Sequence, residues 1–148
     1  MSRFISAETE FSVEFYDVDS MMIVWHGNYI KYFEKARCAL LNKIGYSYSE
    51  MRDTGWVFPI TAISVKYIGS FGFRDRVRAK ATLIEYENCI KIKYELYNAK
   101  TGKLCTRAES TQMAVEVAGW ESHIVCPRVF TDKVEALLRA DGETESSK

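Results

Sequence analysis

Residues Val13 to Arg37 read Val-Glu-Phe-Tyr-Asp-Val-Asp-Ser-Met-Met-Ile-Val-Trp-His-Gly-Asn-Tyr-Ile-Lys-Tyr-Phe-Glu-Lys-Ala-Arg. The stretch opens as a strand and closes as a helix. On its N-terminal side the alternation predicts a strand over Thr9 to Tyr16, with Phe11, Val13 and Phe15 on one face and Glu10, Ser12 and Glu14 on the other. On its C-terminal side Tyr29, Phe33, Ala36, Leu40 and Ile44 recur at helical spacing, against a polar stripe of Lys31, Glu34, Lys35, Asn42 and Lys43. Asn28 is placed to cap this helix and Gly45 to end it. The loop between holds two carboxylates, Asp17 and Asp19, and then His26 just before the helix start. The first N–H groups of a helix are unpaired and sit at the positive end of its dipole, so they can stabilise an oxyanion. A carboxylate beside such a terminus is a candidate catalytic group, although acids also gather at helix starts for capping alone.

Beyond the helix, Tyr46 to Thr54 reads as a short helical turn or loop, and Gly55 and Pro59 mark the return to extended chain. From Val57 the period is two. Ile63, Val65 and Tyr67 oppose Ser64 and Lys66, and Gly69 to Phe73 forms a turn or bulge. Val77, Ala79, Ala81 and Leu83 then oppose Arg76, Arg78, Lys80 and Thr82, and Ile90, Ile92, Tyr94 and Leu96 oppose Lys91, Lys93 and Glu95. Asn98 to Lys103 is a hairpin connection into a strand from Leu104 to Val117, whose apolar phase changes between Ala108 and Met113 in a way that a bulge near Ser110 would reconcile. An amphipathic segment with Val129, Val134, Leu137 and Leu138 closes the fold, and residues 141–148 form a polar tail. One strand, one long helix and four more antiparallel strands imply a single α+β domain over residues 1–140, in which the sheet wraps the helix.

Composition narrows the function classes. Lysine plus arginine and aspartate plus glutamate number twenty each, so no long-range attraction for nucleic acid or an anionic membrane is expected. The basic face of Arg74, Arg76, Arg78, Lys80, Lys91 and Lys93 is read as a solvated sheet surface, with a grip on phosphates as the alternative. No segment has the length and apolarity of a membrane span or a signal peptide, which points to the cytoplasm. Cys38, Cys89, Cys105 and Cys126 lack zinc-ligand spacing and suit buried residues in a reducing compartment, so no metal is expected. Gly69-x-x-Gly72 lacks the remainder of a dinucleotide loop, no Gly-x-Ser-x-Gly elbow is present, and His123 reads as an exposed loop residue.

The aromatic-ended strand, Asp17-x-Asp19, the step of seven residues to His26, Asn28-Tyr29 and Tyr32-Phe33-Glu34-x-Ala36-Arg37 together resemble the 4-hydroxybenzoyl-CoA thioesterase family of hot-dog-fold proteins. The likeness extends more loosely to about Val117. It implies an acyl thioester substrate, carried by coenzyme A or by acyl carrier protein, with no cofactor. Homodimers or dimers of dimers are implied, with substrate at the interface between edge-joined sheets. Asp19 would be nucleophile or general base, and the backbone N–H of His26 the oxyanion donor, with its imidazole orienting water or substrate. The likeness places Met22, Trp25, Asn28, Tyr29, Lys66 and Tyr67 in the substrate site, the last two near the pantetheine arm. Asp17 is left as a structural loop residue, and Glu34 as a lesser candidate because some hot-dog thioesterases carry their acid on the helix. Ser20, Met21 and Met22 depart from the small residues, often glycine, that many relatives have after the key aspartate. A non-catalytic hot-dog module that binds an acyl thioester is the rival reading. A hot-dog hydratase is a further alternative, and the Asp-x-Asn-Pro-x-His arrangement of one hydratase branch is missing.

Overall fold

In the computed structural model, which describes residues 4–146, the chain runs through β1 (Ile5–Ser12), α1 (Tyr29–Ile44), α2 (Tyr48–Asp53), β2 (Trp56–Val57), β3 (Ile60–Tyr67), β4 (Arg76–Glu85), β5 (Ile90–Asn98), β6 (Leu104–Gln112), β7 (Ala114–Glu116), β8 (Glu121–His123) and α3 (Arg128–Ser146). Five strands form an antiparallel sheet in the order β1-β4-β5-β6-β3. The alternation of β4 and β5 holds residue by residue. Val77, Ala79, Ala81, Leu83, Ile90, Ile92, Tyr94 and Leu96 are all buried beneath α1 or beside it, while the intervening cations face outward. Helix α1 packs mainly on β1 and β4, and its expected apolar face is buried in full. Each large side chain there contributes roughly 1.5–3 kcal/mol by leaving water. Gly45 ends the helix at φ 86°, a left-handed conformation that favours glycine. This is the expected hot-dog arrangement, an antiparallel sheet around one long helix.

Several elements differ from the alternation-based reading. The first strand begins at Ile5 and ends at Ser12. Phe15, Tyr16 and Asp17 form a 3-10 turn, because the Glu14 N–H bonds to the Asp17 carboxylate, and Phe15 and Tyr16 are exposed. Asn28 does not cap α1 with its side chain. A 3-10 turn over His26–Asn28 leads into the helix, and the Asn28 amide reaches back to the Asp17 carbonyl at 2.8 Å. No bulge occurs at Ser110. Thr106, Ala108, Ser110 and Gln112 all face inward, and the apparent change of phase is a change of sheet, since β7 leaves β6 to pair with β2 and β8. His123 is a strand residue whose Nε2 lies 3.2 Å from Glu116 Oε1, with its ring edge-on to Trp56. Helix α3, anchored by buried Phe130 and Val134, continues to Ser146 through most of the stretch expected as a tail; Ser147 and Lys148 lie outside the described residues.

Strand β3 pairs on one side only, with β6. Its register sets Ile63, Val65 and Tyr67 on the same face as Ser110, Ala108 and Thr106, the helix side of the sheet. Because α1 sits over β1 and β4, this end of the inner face is uncovered, and Ile63 and Tyr67 remain 41% and 48% exposed. A long edge bearing apolar side chains is an association surface.

Candidate functional site

Asp17 and Asp19 are two residues apart and have opposite environments. Asp17 is 4% exposed, and its Oδ2 accepts from the Tyr32 hydroxyl at 2.8 Å and from the Glu14 N–H at 3.0 Å. Its carbonyl accepts from the Trp25 N–H and the Asn28 amide. Burial and the neighbouring carboxylate hold the Tyr32 phenol well above its ordinary range, so it remains a donor. Asp17 thus ties the loop to α1 and is a structural hub.

Asp19 opens a tight reversal of the chain. Its N–H bonds to the Ile23 carbonyl, its carbonyl accepts from the Met22 N–H, and its Oδ1 accepts from the Met21 N–H at 2.8 Å. This local side-chain bond is the usual device by which aspartate shapes a turn. One carboxylate oxygen is anchored, and among the described residues the other has no hydrogen-bond partner. Bridges from Val18 to Val24 and from Ile23 to Gly72, with the Val24 N–H on the Phe71 carbonyl, hold the reversal against the β3–β4 connection.

The chain then turns into α1. The Asn28 N–H bonds to the Trp25 carbonyl at 2.8 Å, closing the 3-10 turn. Among the described residues, neither the His26 nor the Gly27 N–H has a protein acceptor. These are the unpaired donors expected at a helix start. The His26 carbonyl accepts from the Tyr67 hydroxyl at 2.9 Å.

Asp19, His26, Tyr29 and Tyr67 line one cleft of about 330 Å³, whose remaining wall includes Met21, Ile23 and the Ile68–Ser70 segment. That volume lies at the lower end of the range of small-molecule sites. Of the other residues expected there, Trp25 lies beside the cleft with its ring packed over Gly27, where an added Cβ would collide with it, and 5.0 Å from the His26 ring. Asn28 supports the loop through Asp17. Lys66 projects from the opposite face of the sheet into a separate groove with Lys93, Arg107 and Glu109, as alternation with Tyr67 requires. Among the outer-face cations, Arg76, Arg78 and Lys91 pair with Glu10, Glu8 and Glu109, as a solvated surface would.

Met22 does not line the cleft; Met21 does. Met22 adopts φ 63° with its side chain half exposed, a left-handed conformation where glycine is at ease. Met22→Gly is therefore expected to raise stability by about 0.5–1 kcal/mol, the relief of backbone strain exceeding glycine's extra unfolded-state entropy. Thermal unfolding of the two proteins checks this, and a less stable Met22→Gly would mean that the thioether side chain holds the turn.

Sequence spacing also missed Arg37. It is buried, donates to the Tyr48 hydroxyl at 2.6 Å and the Tyr94 hydroxyl at 3.4 Å, and forms an ion pair with Glu34 one turn earlier. Tyr94 and Ser110 share a hydrogen bond at 2.8 Å. Its position four residues after Phe33 and four before Leu41 puts Arg37 on the buried face, a signal present in the sequence. The four cysteines are free thiols, and burial raises Cys89, Cys105 and Cys126, the last to about 12, which makes them poor nucleophiles. On the β7–β8 ribbon Glu116, Glu121 and His123 each bring a potential metal-ligand atom within 4.8 Å of the others, with side chains that are largely solvated.

Comparison with known proteins adds the last observation. The Thioesterase-like superfamily matches residues 13–134. A Bacillus subtilis protein whose name proposes an acyl-CoA thioesterase is 27% identical over 111 residues, covering 74% of this chain and 80% of that protein. The structure of a DHNA-CoA thioesterase from Staphylococcus aureus superposes with a TM-score of 0.80 and 28% identity, over 97% of this chain and 95% of that one. A 1,4-dihydroxy-2-naphthoyl-CoA thioesterase from Synechocystis gives a TM-score of 0.76 over 87% of this chain and 95% of its own, and at 16% identity this is a likeness of fold.

Proposed function

Because the chain belongs to the Thioesterase-like superfamily, we propose that it is an acyl-CoA thioesterase whose chemistry is carried by Asp19 and the helix start at His26. The observation that carries this reading is the shared cleft. A carboxylate with one oxygen anchored and one free stands in the same 330 Å³ space as a helix terminus whose first donors are unpaired. Thioester hydrolysis needs those two things, a group that delivers or becomes the nucleophile and a fixed donor for the oxygen that becomes negative. With Asp19 as nucleophile, its oxygen bonds to the acyl carbon, the C–S bond breaks to release the thiolate, and water then cleaves the acyl-aspartate anhydride. With Asp19 as general base, it takes a proton from water as that water attacks, and the proton passes to the departing sulfur. In both routes the carbonyl oxygen gains charge facing the His26 N–H, which costs no reorganisation at that moment.

Following free thiol while the protein is incubated with short-chain, long-chain and aromatic acyl-CoAs, and with an acylated carrier protein, tests the proposal. Release of thiol from one or more acyl-CoAs is expected. Release from the carrier protein alone would identify a carrier-protein thioesterase, and binding without release would leave the non-catalytic module. A reducing, cytoplasmic location accompanies this reading, supported by the four free cysteines. Among the described residues no helix is long and apolar enough to cross a membrane.

The uncovered inner face at β3 supports the homodimer, or dimer of dimers, that belongs with this reading. Two copies joined edge to edge at β3 would cover Ile63 and Tyr67 and extend the cleft, in line with the space a coenzyme needs beyond it. Light scattering at micromolar concentration is expected to give twice the chain mass or an even multiple of it. A monomer alone would count against the interfacial site.

A further inference from the structure

We propose that Tyr67 is a positioning residue for this reaction, fixing the His26 turn from the end of the β3 edge strand; the inference rests on the assignment of the site given above. The hydroxyl of Tyr67 donates to the His26 carbonyl at 2.9 Å across 41 residues of sequence. Its ring is held independently. It stands edge-on to Tyr29 at 5.0 Å, and Tyr29 is only 2% exposed. Just past it, the N–H groups of Ile68 and Gly69 both bond to the Cys105 carbonyl, at 2.9 and 2.8 Å, which pins the end of the strand. The phenol is therefore a rigid strut between β3 and the turn.

The turn needs one. It is a 3-10 turn, a less well bonded form than the α-helix, and its own closure comes from the Asn28 to Trp25 bond. The Tyr67 contact grips the peptide plane that follows His26. Because a peptide group is a rigid plane, holding that carbonyl fixes the direction of the Gly27 N–H, which lies in the same plane, and narrows the ψ range through which this plane is joined to the His26 N–H. A displacement of about 1 Å at a group that orients a reacting atom can cost on the order of a hundredfold in rate. The same bond limits what else Tyr67 does. A phenol has one proton to donate, and here the His26 carbonyl takes it, so Tyr67 does not donate to substrate.

Tyr67→Phe keeps the ring on Tyr29 and removes only the hydroxyl. Turnover is expected to fall about tenfold with KM within twofold of the parent, since the loss is confined to transition-state alignment. Two readouts separate this from general loosening of the fold. The carbonyl stretch of a bound acyl-CoA analogue with methylene in place of sulfur is expected to shift back toward its solution value in Tyr67→Phe. Amide hydrogen exchange at Asn28, whose N–H closes the turn on the Trp25 carbonyl, is expected to quicken by about tenfold in the free protein, while exchange in β4 and β5 stays unchanged. Unchanged turnover in Tyr67→Phe, or a raised KM with turnover intact, would overturn the proposal, the latter by making Tyr67 a substrate contact. Should the parent protein release no thiol from any acyl-CoA, the assignment of function fails, and the exchange measurement still decides the strut: equal rates in both proteins would remove it.

Discussion

Asp19→Asn is expected to lower turnover by a factor on the order of a hundred or more while KM stays near that of the parent, the scale of losing acid–base or covalent catalysis. A hundredfold corresponds to about 2.7 kcal/mol of transition-state stabilisation. The substitution is a clean probe because the Asn side-chain oxygen can still accept from the Met21 N–H, the bond that shapes the turn. What disappears is the negative charge. Folding and substrate binding should therefore survive, and the loss should be confined to the chemical step. His26→Ala is expected to be milder, because the proposed oxyanion contact uses the backbone N–H that alanine retains. Glu34 is the competing acid, and its surroundings argue against it. It is bound in an ion pair with the buried Arg37, which neutralises its charge and ties its side chain to the Tyr48 and Tyr94 hydroxyls through that guanidinium. Full activity in Asp19→Asn alongside an inactive Glu34→Gln would move the chemistry onto the helix.

The parts of the fold legible in the sequence are those where one pattern answers one question. The period of α1 and the alternation of β4 and β5 identify faces that are then buried, because each lies at the centre of the packing. For β3 the same alternation names a face without saying whether anything covers it. That depends on where α1 lies, and it lies over β1 and β4. In β6 the inward positions are Thr106, Ser110 and Gln112, so an apolar-parity rule misreads them. Their partners, such as Tyr94 for Ser110 and the Phe58 carbonyl for Gln112, come from distant segments. The site divides in the same way. Asp19 and His26 were legible from motif spacing, and both reach the cleft. Met21 rather than Met22 lines it because of a left-handed residue that spacing does not reveal, and the opposite direction of Lys66 was available from its parity with Tyr67.

Asp17→Ala is expected to reverse the behaviour of Asp19→Asn, lowering the free energy of unfolding by roughly 2–4 kcal/mol with turnover retained within a few-fold below the melting temperature. Asp17 is buried, and its carboxylate collects the Tyr32 hydroxyl and the Glu14 N–H, so its removal leaves two donors without a partner where the loop meets α1. For a chain of this length such a loss lowers the melting temperature by roughly 5–15 °C. Tyr32→Phe removes the strongest donor and leaves the buried carboxylate on the Glu14 N–H alone, at a cost of about 1.5–3 kcal/mol. If the two groups stabilise the fold through each other, the double variant will lose less than the sum of the single losses, and the difference measures the Tyr32 to Asp17 bond. Its backbone contacts persist in alanine, because the Asp17 carbonyl still receives the Trp25 N–H and the Asn28 amide, which keeps the approach to His26 in place and is why activity should survive. Chemical denaturation of the parent, the two single variants and the double variant, with thiol-release rates measured well below each melting point, checks both halves. An Asp17→Ala protein as stable as the parent would remove the scaffold role, and one that is stable and inactive would assign the buried aspartate to the chemistry.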